Sequence, residues 1–187
     1  IEAGLDFAFL LVPYRLLALS LVSTFLISAF SQIARAAAVQ HYTGEKPPFG
    51  IDLALGFIPR FATSTADAAE RADTSGRLGI IFSGLNAGLV LFVLSVFGWF
   101  LSRGSANLLS GFLLWFAILS LVGFLLRVNP LARRDGYFLL ATWLRIPDLR
   151  DQAWLAISGF ERPWSDREPP PRKLLLAYLA AIVAYMV

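Results

Sequence analysis

The chain of 187 residues is 57% hydrophobic, with a mean hydropathy of +0.66 and 16% charged residues, too few for an ordinary soluble domain. It contains no cysteine, which excludes disulfides and thiolate metal sites, and a single histidine, which excludes a histidine-rich metal site. The net charge of +3 is small, and the arginines alternate with acids and follow the loops, a pattern that fits membrane topology better than nucleic-acid binding.

Taken in chain order, the first predicted element is a membrane span over 16–35, an apolar run bounded by Arg15 and Arg35. It ends in polar residues: Ser31, Gln32 and Arg35. Ser31 and Arg35 stand four apart and so share one helix face, one turn from each other, with Gln32 beside them. A charge within a span is costly, usually faces the protein interior and usually has a partner. The alternative is that the helix has reached the interface, where Arg35 snorkels to water.

The loop 36–77 follows. Its 44–61 stretch sets prolines and glycines around a short apolar run, which predicts a strand or hairpin lying at the membrane face. Residues 62–77 are small, polar and charged, with Ser, Thr and Asp able to cap a short helix. The whole loop reads equally as a solvated connector.

Leu78 to Ser102 and Gly104 to Leu126 contain no ionisable residue. Each is longer than the ~20 residues needed to cross a bilayer core of ~30 Å, so these are the second and third spans. The soluble alternative, two fully buried core helices of that length, does not suit so small a domain. Residues 127–136 carry the turn dipeptides Asn-Pro and Asp-Gly. Tyr137 to Arg145 is apolar but too short to span, which predicts a half-helix in the interface. Residues 161–173 form a proline-rich charged linker, and 174–187 begin a fourth span. No internal repeat is present. With Ile first and no signal peptide ahead of the first span, the chain reads as an internal piece of a longer protein.

Arginine and lysine crowd into 36–77 and 127–173, whereas only Arg103 lies between the second and third spans. Positive charge in short loops marks the cytoplasmic side, so both loops are expected there, with the Arg103 turn outside. Asp135 lies just beyond the inner end of the third span, level with Arg35 at the inner end of the first. It is the natural partner for that arginine.

Residues Asn129-Pro130-Leu-Ala-Arg-Arg-Asp135-Gly136-Tyr137, continuing through Ile146-Pro-Asp-Leu-Arg150, resemble the Asn-Pro…Asp-Gly motif of the site-2 protease family, intramembrane zinc metallopeptidases, and most of all its bacterial peptide zinc metalloprotease branch. The resemblance implies that Asp135 occupies the third zinc-ligand position. The other two ligands of the family are the histidines of H-E-x-x-H on an earlier span, with the glutamate as general base. Ser31-Gln32-Ile33-Ala34-Arg35, followed by small residues to His41-Tyr42 and then Gly44, fits that motif without a gap. Phe49-Gly-Ile51 and Phe57-Ile-Pro-Arg-Phe61 resemble the family's membrane-face strand region, and Ser83-Gly84-Leu-Asn-Ala87 stands in place of its Ala-Gly-Pro segment.

The departures govern the functional expectation. Ser31 and Arg35 stand where the family has histidines, and Gln32 where it has its base. Zinc catalysis needs three protein ligands and an open position for water. A serine hydroxyl is a poor ligand at neutral pH, a guanidinium has no lone pair to give, and Gln32 cannot take a proton from water. The resemblance with these departures implies an inactive homologue with no catalytic residue, no cofactor and no bound metal. A remodelled site of His41, Glu45 and Asp135 is the alternative arrangement.

The expected fold is all-α transmembrane, with about four membrane helices, a short membrane-face hairpin and an interfacial half-helix, in one membrane domain. An ion pair between Arg35 and Asp135 is expected where zinc bridges two helices in the family. The expected role is a binding or scaffolding subunit in contact with the lipid bilayer and other membrane subunits, in the bacterial inner membrane. Phe49, Ile51, Leu53, Phe57 and Phe61 are the candidate partner-binding residues, offered through strand addition. Two other roles stay open: an active metallopeptidase with an atypical site, and an accessory component of peptide export or efflux.

Overall fold

The computed structural model describes residues 13–54, 58–63, 71–103, 108–146, 148–158 and 171–186. Six helices and one hairpin appear among them: α1 (Pro13–Thr43), β1 (Phe49–Ala54), β2 (Ile58–Thr63), α2 (Thr74–Ser102), α3 (Leu108–Val128), α4 (Asp135–Leu144), α5 (Leu149–Ser158) and α6 (Arg172–Met186). The protein is an all-α membrane protein. Among the described residues, α1, α2 and α3 are long and apolar enough to cross a bilayer. The chain divides into two compact units, one ending at Val128 and one running from Asn129.

In the first unit most large apolar side chains point outward, and most buried positions are small or polar. Leu17, Phe30, Phe82, Val93, Phe97 and Leu125 are exposed. The buried positions are Ser23, Ile27, Ser31, Ala36 and Val39 on α1, with Gly76, Ile80, Gly84, Leu85, Gly88 and Ser95 on α2 and Ser110, Gly111, Phe116, Ala117 and Ser120 on α3. This inversion suits lipid, where tight helix contact comes from small residues rather than from an oily core. Serine hydroxyls close on their own helices, as with Ser95 to the Leu91 carbonyl at 2.6 Å and Ser83 to that of Ile80 at 2.7 Å. Trp115 of α3 donates its indole N–H to Ser20 of α1 at 2.9 Å. Cross-helix neighbours run in register for α1 and α3 (Ser20 with Trp115, Ser31 with Arg127) and in reverse for α2 and α3 (Gly88 with Phe124, Gly98 with Leu113). So α1 and α3 are parallel, with α2 antiparallel between them.

The first helix is longer than the expected span of 16–35. It continues through Ala36-Ala-Ala-Val-Gln to Thr43, because these residues favour helix and nothing breaks it before Gly44. Gly44, at φ +72°, then ends it with its N–H on the Gln40 carbonyl at 3.0 Å. His41 and Tyr42 are therefore helical rather than in the loop. The Tyr42 ring lies on α2 against Gly79, where a Cβ would meet its hydroxyl at 2.6 Å.

The strand region is a hairpin, with β1 and β2 antiparallel and Ile51 opposite Phe61. It runs to Thr63, two residues past the expected 44–61. Residue 57, the loop stretch 64–70, the first residues of the expected 104–126 span and the linker's 161–170 lie outside the described residues. Asp73 caps the long α2, and the short helix expected within 62–77 falls partly outside the described residues. The Asp73 carboxylate accepts from the Gly76 N–H at 2.8 Å and the Ser75 hydroxyl at 2.7 Å.

The Ser75 hydroxyl, then the Gly76 N–H, hold the Asp73 carboxyl below its ordinary range. A lowered folded pKa means that the cap stabilises above the ordinary carboxylate value and is lost as pH falls through the lowered one. Acidification through that window should therefore lower the protection factors, taken against the intrinsic exchange rate at each pH, of the first-turn amides of α2 in the wild type. An Asp73→Asn variant, which keeps an acceptor without titrating, should show no such dependence.

The second unit has an ordinary apolar core. Tyr137 of α4, Ile146, Leu149 and Ala153 of α5, and Leu175 and Leu179 of α6 are buried together. The half-helix forms as expected but starts at Asp135 and ends at Leu144, where Arg145 takes a left-handed φ of 58°. The Ile146 N–H reaches back to the Ala141 carbonyl at 3.0 Å. The last element, expected to begin a fourth span after a linker reaching 173, is a helix from Arg172. Pro171 opens it, and the Leu174 N–H bonds the Pro171 carbonyl at 2.9 Å. Leu175, Leu179 and Ile182 form its buried stripe.

Candidate functional site

Ser31 is 1% exposed and lies in the middle of the buried stripe of α1. Its hydroxyl accepts a hydrogen bond from Nη1 of Arg127 at 2.8 Å. Arg127 is in the last turn of α3, parallel to α1, so the geometry brings a guanidinium to the position that the resemblance gives to the first zinc ligand. A hydrogen bond to a charged donor is worth more than a neutral one, about 1.5–3 kcal/mol.

Arg35, one turn along α1, is half-buried and reaches α2. It lies against Gly84, where a Cβ would overlap Nε and come within 3.0 Å of Cγ and Cζ. Glycine is required there because the arginine stem uses the space a side chain would fill. A Gly84→Ala substitution should lower stability by about 1–3 kcal/mol through overpacking. Combined with Arg35→Ala, which empties the space, most of that loss should disappear. Thermal unfolding of the four variants in detergent measures the coupling.

Asp135 is the first residue of α4, where a carboxylate is favoured by the helix dipole. Asn129 accepts from the Leu131 N–H at 2.9 Å, an Asx turn that folds the Asn-Pro segment back. The Pro130 carbonyl accepts from the Tyr178 hydroxyl at 2.9 Å. Gly136 and Tyr137 are buried, and the Tyr137 hydroxyl accepts from the Arg150 N–H at 3.3 Å. The motif residues thus share one compact unit around Tyr137. Arg35 and Asp135 fall in different units, and their pairing enters only as a proposal.

Zinc does not fit the residues at 31, 32 and 35. Ser31 offers a hydroxyl already engaged by a cation, Arg35 has no lone pair, and a Gln32 amide is no base. Among the described residues no three of His, Asp and Glu gather closely enough to hold a metal ion. His41 stacks edge-on with Tyr42 at 5.0 Å, and Glu45 pairs with Arg71 at 2.6 Å, an exposed bridge of little energetic weight.

On the hairpin, β2 packs beside α1, and Phe61 meets Phe25 at 5.1 Å. That makes β1 the outer strand, with Ile51 exposed. Ile51 and Phe61 are cross-strand partners, yet only Phe61 has helix cover. Phe49 and Leu53 belong to β1.

Arg127 is the residue that sequence reasoning passed over at this site, grouping it with loop charges. Its signal was its place at the end of the charge-free run, at a depth matching Ser31 in a parallel helix. The helix α5 was missed as well, though Leu149, Ala153 and Ala156 carry a helical spacing. No family model, curated protein or solved structure matches this chain.

Proposed function

We propose that this chain is a catalytically inactive, site-2-protease-like membrane protein that serves as a binding or scaffolding subunit of a larger membrane complex. The observation that carries this reading is the bond from Arg127 to the buried Ser31, which sets a fixed cation at a position where the family grips a metal cation. Arg35, wedged on Gly84, adds a second guanidinium one turn away. Two cations there disfavour a divalent metal by simple repulsion.

In this reading Arg35 bonds Asp135 where zinc bridges two helices in the family. The outer strand β1, which no strand besides β2 pairs among the described residues, offers its edge and the exposed Ile51 to an extended segment of a partner subunit, with Phe49 and Leu53 as neighbouring anchors. The arginine distribution supports a topology with loops 36–77 and 127–173 cytoplasmic, and the resemblance supports a bacterial inner membrane.

Gentle extraction from native membranes tests the role. A scaffold co-purifies with a stable set of membrane proteins, and charged substitution at Ile51 releases them without unfolding the chain. Extraction as a lone chain that cleaves a membrane peptide in a chelator-sensitive way overturns the reading.

A further inference from the structure

The outward face of α2 carries one polar residue that the bundle does not use. Asn86 is exposed, and apolar residues bracket it along the helix: Phe82 on one side, Leu89 and Val90 on the other. It lies nine residues in from Arg77, about 13 Å along the axis. At 3.6 residues per turn it sits at the centre of the exposed arc, within roughly 20° of Val93 and Phe97. Ile80, Gly84, Gly88 and Ser95 face the opposite way, into the bundle.

The exposed residues also keep a period. Phe82, Asn86, Leu89, Val93, Val96 and Phe100 follow one another at spacings of four, three, four, three and four, and all are exposed. That is a heptad seam, about 27 Å long and so close to the full thickness of a bilayer core. Arg103, its guanidinium 3.8 Å from the centre of the Phe100 ring, marks where the seam ends. Any outward helix face has this spacing, but lipid leaves a carboxamide in it unsatisfied.

We propose that this face of α2 pairs with α2 of a second copy of the chain, through reciprocal Asn86–Asn86 hydrogen bonds. All copies of a membrane protein insert in the same direction, so a two-fold axis along the membrane normal sets equivalent residues opposite each other at equal depth. The carboxamide is complementary to itself under that axis. Its positive N–H group meets the partner's negative carbonyl twice, which satisfies both side chains. A single polar residue in an apolar seam also fixes its register. The inference stands apart from the fate of the zinc positions, since Asn86 faces away from them.

The chain has no cysteine, so single-cysteine variants report one contact each. In native membranes, Val93→Cys should cross-link to a dimer on mild oxidation, because seam positions bring Cα atoms within the ~4.4–6.8 Å that a disulfide spans. Leu125→Cys, equally exposed but on α3, should not. Adding Asn86→Leu to Val93→Cys should weaken dimerisation about tenfold, the effect of losing interhelical polar bonds of ordinary strength. Energy transfer between labelled chains diluted in bilayers gives the same association constant without oxidation, and circular dichroism shows that Asn86→Leu remains folded. The proposal is overturned if Val93→Cys stays monomeric, if Asn86→Leu leaves the association constant unchanged, or if the cross-link joins a different protein.

Discussion

Asp135→Ala and Arg35→Ala should each destabilise the protein by about 1.5–3 kcal/mol if the two form the pair proposed here, since both groups are half-buried and the larger cost of a fully buried pair does not apply. Each truncation leaves the opposite charge partly shielded from water and without its partner. Removing both together should cost much less than the sum, since neither charge remains to be stranded. Reversal of the pair, Arg35→Asp with Asp135→Arg, should recover part of the stability that either reversal alone destroys. Unfolding in mixed micelles measures all of these. Additive effects of the single substitutions would show that the two side chains act independently.

Ser31→Ala and Arg127→Leu should each cost about 1.5–3 kcal/mol, the range for a hydrogen bond to a charged group. Ser31 has almost no access to solvent, so water cannot replace the lost donor when Arg127 is removed. The double variant should again lose less than the sum, with a coupling of about 0.5–3 kcal/mol. Arg127→Lys is the informative conservative change. Its ammonium keeps the charge but is a compact group on a more flexible stem, so it should restore only part of the coupling.

Much of the architecture was legible in the sequence. Charge-free runs announced α2 and α3 because a bilayer tolerates few alternatives over that length, and the Pro/Gly-punctuated run announced the hairpin. The end of α1 was misread because Arg35 resembles a membrane boundary, while the helix itself responds to local propensity and continues through the alanines to Gly44. The α5 helix was hidden by a motif reading that stopped at Arg150. At the site, Ser31, Gln32 and Arg35 were found from their polarity at the end of a span. Their partners were not, since no local pattern reveals which neighbouring helix a side chain reaches. Gly84 against Arg35 and Arg127 against Ser31 are products of helix packing, visible only once α1, α2 and α3 are set side by side.

The proposed function stands on fixed positive charge at the positions that the resemblance assigns to zinc, and the metal content of the chain tests it most directly. Protein purified from cells grown in zinc-sufficient medium, without chelators, should contain no stoichiometric zinc, and Asp135→Asn should not change that value. One zinc per chain, lost in Asp135→Asn, would contradict it.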